Sequence, residues 1–307
     1  MDMLPVVSQM GVLFFVVALG FAGAKCRVLD KASNEMLSGV VIDLILPCSI
    51  LYSAISGEHL LSNVQTLLLM AVACIIAILL ILLAWLLVKI FRIPADQAGV
   101  SKFMIIFTNA TFVGFPVVRV IFGSSAVFFV AVFNMVFMLL AYTYGVALIG
   151  SREQKTRFSW NMLLTPMVIS SVLAFVLYLA NFKAPAFLVD ALGFVDQMTS
   201  PLSMLTIGCA LAFAPMKNIL RAWRVYVMLL IRMLLFPIAF YYLMGLVIDN
   251  ALILGVATVI VAMPAPASTT MFCAKYGGDQ TLASSSVFIS TLLSIGTIPL
   301  LCRILFA

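Results

Sequence analysis

The sequence has little charge and one histidine. Only 9% of its 307 residues are charged, with 17 basic and 11 acidic side chains. Soluble domains carry about 25% charged residues, so this set is too small to cover a water-facing surface. Soluble enzymes and nucleic-acid-binding proteins are therefore excluded first. A hydrophobic fraction of 65% and a mean hydropathy of +1.25 indicate a membrane protein.

The groups that an enzyme needs are missing as well. His59 lies far from any serine motif, so a Ser-His hydrolase lacks its base. The scattered acids do not form a metal-binding cluster, and there is no glycine-rich phosphate loop for ATP. An intramembrane protease needs two buried aspartates, and only Asp43 clearly qualifies. The six cysteines form no CxxC pair and predict reduced packing residues. We therefore predict no enzyme, no metal site and no cofactor.

Ten apolar stretches are long enough to cross a bilayer, which takes about 20 residues of helix. Their approximate cores are residues 4–24, 36–56, 64–90, 101–121, 125–149, 161–180, 194–214, 222–248, 251–274 and 282–306. Lys and Arg accumulate in short cytoplasmic loops. Thirteen of them fall in the odd-numbered loops and one, Lys183, in the even-numbered loops. Both termini are therefore predicted to lie outside the cell, with the chain in the plasma membrane.

The two halves of the chain carry matching interruptions. Five spans per half reverse the orientation of the second half, as in transporters with inverted repeats. Pro47 and Pro116 are 69 residues apart in the first half, and Pro201 and Pro264 are 63 residues apart in the second. The predicted fold class is therefore an all-α polytopic membrane protein with ten transmembrane helices in a 5+5 inverted repeat.

This repeat divides the chain at a short basic loop. The first five-helix repeat covers residues 1–150, and the inverted second repeat covers residues 160–307. A cytoplasmic linker, residues 151–159, joins them.

The fourth and ninth spans are predicted to break near mid-membrane. Proline removes a backbone donor and clashes with the preceding turn, and the ninth span has two prolines separated by one residue. Freed amides at half-helix N-termini suit an anion, and hydroxyl and amide side chains flank both breaks. The predicted substrate-binding residues are Asn109, Thr108, Thr111, Gly114, Pro116, Pro264, Pro266, Ser268 and Thr269.

Ionisable residues inside membrane spans are functional candidates. Asp43 either titrates during transport or is a structural partner of another group. Arg119 either draws an anion toward the break or snorkels to the outer interface. For Arg232, pairing with Asp43 and pairing with a bound anion are both open. Asp279 is predicted to cap the last helix.

Several of these motifs resemble the auxin efflux carrier family, which includes plant PIN-type auxin exporters and bacterial permeases for malonate and malate. The resemblance covers nearly the whole chain. It rests on residues 108–116, 263–264, 274–276, 290–294 and 298–300.

This resemblance implies a fold related to bile-acid transporters and sodium/proton antiporters, with helices four and nine crossing at their breaks. It also implies an elevator-like mechanism, in which helices 1, 2, 6 and 7 form a scaffold and helices 3–5 and 8–10 move. Asn109 matches the motif asparagine that contacts the substrate carboxylate. The long cytoplasmic loop of many plant members is absent here.

The predicted function is secondary active transport of small organic anions, either carboxylates such as malonate or malate or auxin-like acids. A proton and sodium are the candidate coupling ions, and uncoupled transport is also open. A sodium-coupled symporter of the bile-acid carrier type and a passive channel or receptor without alternating access are the alternatives. Expected partners are the substrate, the lipid bilayer and a second copy in a homodimer, and no nucleic acid.

Overall fold

The computed structural model is mostly helical in the part of the chain that it describes. It describes residues 3–56, 62–149, 164–213 and 223–306. No strand occurs within these ranges, which confirms the predicted all-α class for this part of the chain. The predicted linker, residues 151–159, and His59 lie outside the described residues.

The helices follow the apolar stretches of the sequence. In chain order they are α1 (Met3–Lys25), α2 (Lys31–Ile55), α3 (Asn63–Ile90), α4 (Ala95–Ile106), α5 (Phe115–Phe122), α6 (Ser124–Ile149), α7 (Pro166–Leu179), α8 (Ala186–Asp196), α9 (Thr199–Ala212), α10 (Trp223–Met244), α11 (Ala251–Ala262), α12 (Ser268–Tyr276) and α13 (Gln280–Phe306).

Six helical stretches in the described ranges are long and apolar enough to cross a membrane. They are α2, α3, the stretch Ala95–Phe122 from α4 to α5, α6, α10 and α13. Gly11–Lys25 in α1, Pro166–Leu179 and Ala251–Ala262 are apolar but shorter. The 5+5 repeat of ten crossing helices therefore stays a prediction.

Three prolines follow directly on a π-helical turn. Pro47, Pro116 and Pro237 are each the second residue of the α-helical segment after such a turn. The three turns are Val41–Ile45, Ala110–Gly114 and Ile231–Leu235. Because proline has no N–H and clashes with the carbonyl four residues earlier, the wider π turn accommodates its ring. Pro116 therefore lies in the first turn of α5, and the chain departs from helical geometry before it, at residues 107–109.

Side-chain caps fix the beginnings of several helices. Asp30 accepts a hydrogen bond from the Ser33 amide at 2.7 Å and begins α2, and hydrogen bonds from Ser33 lower the pKa of this carboxyl. Asn250 accepts hydrogen bonds from two amides of α11, both at 3.0 Å. Asp279 accepts from the Leu282 amide at 2.9 Å, which confirms the predicted cap of the last helix.

The chain forms two compact units, each built from three segments. The first unit comprises Met1–Ala71, Ala110–Met135 and Leu163–Phe213, and the second comprises Val72–Asn109, Val136–Met162 and Ala214–Ala307. The first unit holds the predicted spans one, two, six and seven, together with α5 and the beginning of α6. The second holds most of α3, α4, the end of α6 and the helices from α10 onward.

In the first unit, α1 and α9 pack through two glycines. A Cβ atom on Gly208 would lie 1.9 Å from the carbonyl oxygen of Val17. A Cβ atom on Gly20 would lie 2.1 Å from the carbonyl oxygen of Leu205. Small residues let the backbones of membrane helices approach closely, so that van der Waals contact replaces the missing hydrophobic drive.

Replacing Gly20 by alanine therefore destabilises the first unit, because the added methyl group overlaps a backbone oxygen that cannot rotate away. We expect a loss of roughly 1–3 kcal/mol in the free energy of unfolding, as for other overpacked sites. Gly11→Ala in the same helix is the matched control, since nothing lies within 4 Å of its added Cβ. Denaturation in mixed micelles measures the free energy of unfolding of both variants. Equal values for the two variants would contradict the packing of α1 against α9.

In the second unit, an aromatic cluster packs beside residues 107–109. Phe103 and Phe107 have ring centroids 4.5 Å apart, and Phe103 also contacts Phe272 of α12 at 5.2 Å. Gly145 of α6 faces the rings of Phe103 and Phe107, where a Cβ atom would lie 2.8 Å from Phe103. This cluster connects α4, α6 and α12 next to the predicted binding residues.

Candidate functional site

Two non-helical segments of the second unit hold predicted site residues, and the first of them, residues 107–109, follows the end of α4. Phe107 is extended, with φ −95° and ψ 150°, so α4 ends at Ile106, and the Phe107 N–H makes the last helical bond, to the Phe103 carbonyl at 2.9 Å. Asn109 is buried, with 4% of its surface exposed, and its backbone N–H donates to the carbonyl oxygen of Pro264 at 2.8 Å. Thr108 is half-buried.

The second non-helical segment, residues 263–267, separates α11 from α12. Met263 is extended, with φ −63° and ψ 150°. Pro264 and Pro266 have no N–H to donate, so the segment is rich in acceptors. The N–H of Ala265 between them donates to the Ser290 hydroxyl on α13 at 3.1 Å. This bond satisfies a buried amide that the prolines leave outside any helix.

The hydroxyls that follow this segment donate back to the chain. The Thr269 hydroxyl donates to the Pro266 carbonyl at 2.7 Å, and the Thr270 hydroxyl donates to the Ala267 carbonyl at 3.0 Å. Their oxygens can still accept hydrogen bonds, but their protons are engaged. Ser268 is exposed at the beginning of α12, whereas Thr269 is buried.

Arg232 is fully buried in the second unit, in the π turn of α10. Its guanidinium donates to three carbonyl oxygens, those of Ile105, Phe107 and Met263. The sequence left open a pairing with Asp43 or with an anion. The partners in this structure are backbone carbonyls, one in the last turn of α4 and one in each of the two non-helical segments.

The remaining predicted binding residues lie in the first unit. Thr111 and Gly114 belong to the π turn, and Pro116 is the second residue of α5. Thr111 is half-buried, and Gly114 and Pro116 are buried. The predicted binding residues are thus divided between the two units. The first unit holds Thr111, Gly114 and Pro116, and the second holds Thr108, Asn109, Pro264, Pro266, Ser268 and Thr269.

Arg119 binds within the first unit. It forms an ion pair with Asp196, the last residue of α8, and 16% of its side chain is exposed. It also donates to the Asp196 backbone carbonyl at 2.9 Å and to the Ser49 hydroxyl at 3.0 Å, while Ser49 donates to the Asp196 carboxylate. This three-residue network joins α2, α5 and α8, and the anion-attracting and snorkelling roles of Arg119 stay predictions.

The sequence singled out Asp43 as an acid inside a span, and its role in transport stays a prediction. Asp43 is exposed, on the outer face of the π turn in α2. Asp196 is the buried acid, with 4% exposure. Both aspartates lie inside predicted spans, and only packing decides which one turns inward.

The site residues predicted from the sequence do not include Asp196, Ser49 or Ser290. Asp196 carried a usable signal, since an acid within the seventh predicted span is a candidate by itself. Ser290 belongs to a polar stripe on α13, where hydroxyl residues recur at helical spacing. The stripe consists of Ser286, Ser290, Ser294 and Thr297, all buried.

No group of three His, Cys, Asp or Glu residues in the described ranges could hold a metal ion. The six cysteines are free thiols.

Comparison with known proteins gives two matches along nearly the whole chain. A family model described as membrane transport protein matches residues 5–302. An uncharacterized transporter of Methanocaldococcus jannaschii is 25% identical over 297 residues, which cover 94% of this chain and 95% of that protein.

Proposed function

The chain belongs to the membrane transport protein family of the auxin efflux carriers, and from this premise we propose that it is a secondary transporter of small organic anions. Membership makes it an integral membrane protein that acts on a small-molecule substrate in the lipid bilayer. The finer proposal is that the substrate carries a carboxylate, such as malonate, malate or an auxin-like acid.

One observation carries this proposal: two non-helical segments meet inside the second unit through the Asn109–Pro264 backbone hydrogen bond. Non-helical backbone at membrane depth is tolerated where it is buried in protein or faces a cavity. Transporters with interrupted helices bind substrate at such places. We therefore place the carboxylate near the buried amide of Asn109 and the beginning of α12.

The local charge favours an anion over a cation. Arg232 donates to carbonyls of both non-helical segments, and its charge offsets the negative carboxyl ends of α4 and α11, so these ends do not attract a mobile cation. In the described part of the chain, no carboxylate pairs with Arg232. The ion pair found there joins Arg119 and Asp196 in the first unit. The N-terminus of α12 adds partial positive charge from its backbone dipoles.

Alternating access is proposed to follow the elevator scheme. Helices 1, 2, 6 and 7 of the predicted ten would form the scaffold, and helices 3–5 and 8–10 would carry the substrate. We also propose a homodimer through the scaffold, in the plasma membrane with both termini outside.

Binding can be tested on purified protein without any transport assay. A ligand that binds only the folded state raises the melting temperature. At a ligand concentration one hundred times the dissociation constant, the free energy of unfolding increases by about 2.7 kcal/mol. We expect malonate, malate or indole acetate to raise it, and the neutral amide of the same acid to have no effect. Sodium sulfate at equal ionic strength controls for salt. A carboxylate site would be contradicted if the amide also raised the melting temperature, or if none of the acids raised it.

A further inference from the structure

Arg232 lies where two helices end. Its Nε donates to the Ile105 carbonyl at 3.2 Å and its Nη2 to the Phe107 carbonyl at 3.4 Å, both at the carboxyl end of α4. Its Nη1 donates to the carbonyl of Met263, the residue after α11. One side chain thus binds the ends of both helices.

These carbonyls are the groups that a helix leaves without partners. The last four C=O groups of a helix have no intrahelical donor, and the macrodipole adds about half a negative charge at each carboxyl end. Two such ends converge on the guanidinium. The adjacent Pro264 and Pro266 contribute acceptors and no donors, so a cation is what this position needs.

No carboxylate in the described part of the second unit balances the charge of Arg232. The described acids of the second unit are Asp96, Asp249 and Asp279, which are exposed or half-buried. Asp96 and Asp249 lie at the beginnings of α4 and α11, the opposite ends from Arg232. Arg232 itself has 0% exposure. A buried charge without such a partner must be held by hydrogen bonds, and the three carbonyls provide them.

In cation-coupled carriers with interrupted helices, unwound carbonyls and half-helix carboxyl ends coordinate the sodium ion or proton. Here the same kind of groups already bind a fixed guanidinium. We propose that Arg232 is a permanent counter-cation that replaces a mobile coupling cation between α4 and α11. It is a positioning residue: it holds the two non-helical segments together and makes sodium unnecessary for transport.

The stability arm of the test needs no substrate, and only the transport arm rests on the proposed function. The melting temperature of the wild type is expected to be the same in sodium chloride and in choline chloride. Arg232→Ala should lower it by at least about 5 °C, since in a chain of this size each kcal/mol lost corresponds to about 2–4 °C. Arg224→Ala, an exposed arginine on the same helix, is the matched control and should change little.

Chemical rescue separates a missing cation from a general packing defect. Millimolar guanidinium chloride should recover part of the Arg232→Ala loss, whereas urea, its uncharged isostere, should recover none. Equal rescue by urea, or equal melting temperatures for Arg232→Ala and Arg224→Ala, would overturn the positioning role. If Arg232→Ala does not fold, Arg232→Lys keeps the charge, and it should fold and remain insensitive to sodium. A sodium-stabilised Arg232→Lys would contradict the proposal.

The transport arm compares initial uptake in sodium and choline at a fixed membrane potential, with equal rates expected. Stabilisation of the wild type by sodium, or uptake that requires sodium, would overturn the proposal. If no carboxylate is transported while the stability results hold, the proposed function fails and the role of Arg232 stands.

Discussion

Asp196→Asn lowers the free energy of unfolding by about 3 kcal/mol, because it leaves the Arg119 guanidinium without its carboxylate. Removing one partner of a buried pair costs about 3–5 kcal/mol. The lower end applies here, since 16% of the Arg119 side chain is exposed. Denaturation in mixed micelles measures the loss. Asp190→Asn in the same helix is the matched control, because Asp190 is exposed and should change little.

A double variant tests whether the loss comes from the unpaired charge. Replacing a buried ion pair by apolar residues of similar volume is often neutral or stabilising. Arg119→Met combined with Asp196→Leu should therefore be more stable than Asp196→Asn alone. If the double variant is the less stable of the two, the three-residue network contributes more than charge balance, and this account of the pair is wrong.

Asn109→Ala raises the half-saturation concentration for the transported acid roughly 10- to 100-fold, while the protein still folds. Losing one hydrogen bond to a charged group costs about 1.5–3 kcal/mol, and each 1.4 kcal/mol is tenfold in affinity. The backbone bond from Asn109 to Pro264 does not involve the side chain, so the two non-helical segments stay joined. Initial uptake rates over a range of concentrations in proteoliposomes measure the change.

Asn134→Ala is the matched control for this variant. Asn134 is also a buried amide, and it contacts the Met167 sulfur at 3.4 Å in the first unit. Removing the Asn134 amide affects the free energy of unfolding but should leave the half-saturation concentration unchanged. An unchanged value in Asn109→Ala, or equal increases in both variants, would remove Asn109 from the proposed site.

Local rules predicted part of this fold correctly. Apolar runs indicated the helices, and the cap at Asp279 followed from a polar residue before an apolar stretch. The position of Pro116 illustrates where such rules stop. Proline predicts an interruption, but a π turn accommodates the ring, and the helix ends at Ile106 instead.

The charged residues show the second limit. Asp43 and Asp196 both interrupt apolar stretches, and a one-dimensional pattern does not reveal which face of a helix packs inward. The partners of Arg232 were equally hidden, because they are backbone carbonyls supplied by the ends of two other helices. Sequence patterns predict acceptors on side chains, whereas these acceptors depend on where helices end.

The most direct test of carboxylate transport is counterflow. Proteoliposomes loaded with unlabelled malonate or malate are diluted into a trace of the labelled acid, and the internal label is followed over time. An alternating-access carrier should accumulate label transiently above equilibrium, and only when unlabelled substrate is inside. Label entry at the same rate with and without internal substrate would indicate a passive pore, and no entry of any carboxylate would contradict the proposed substrate class.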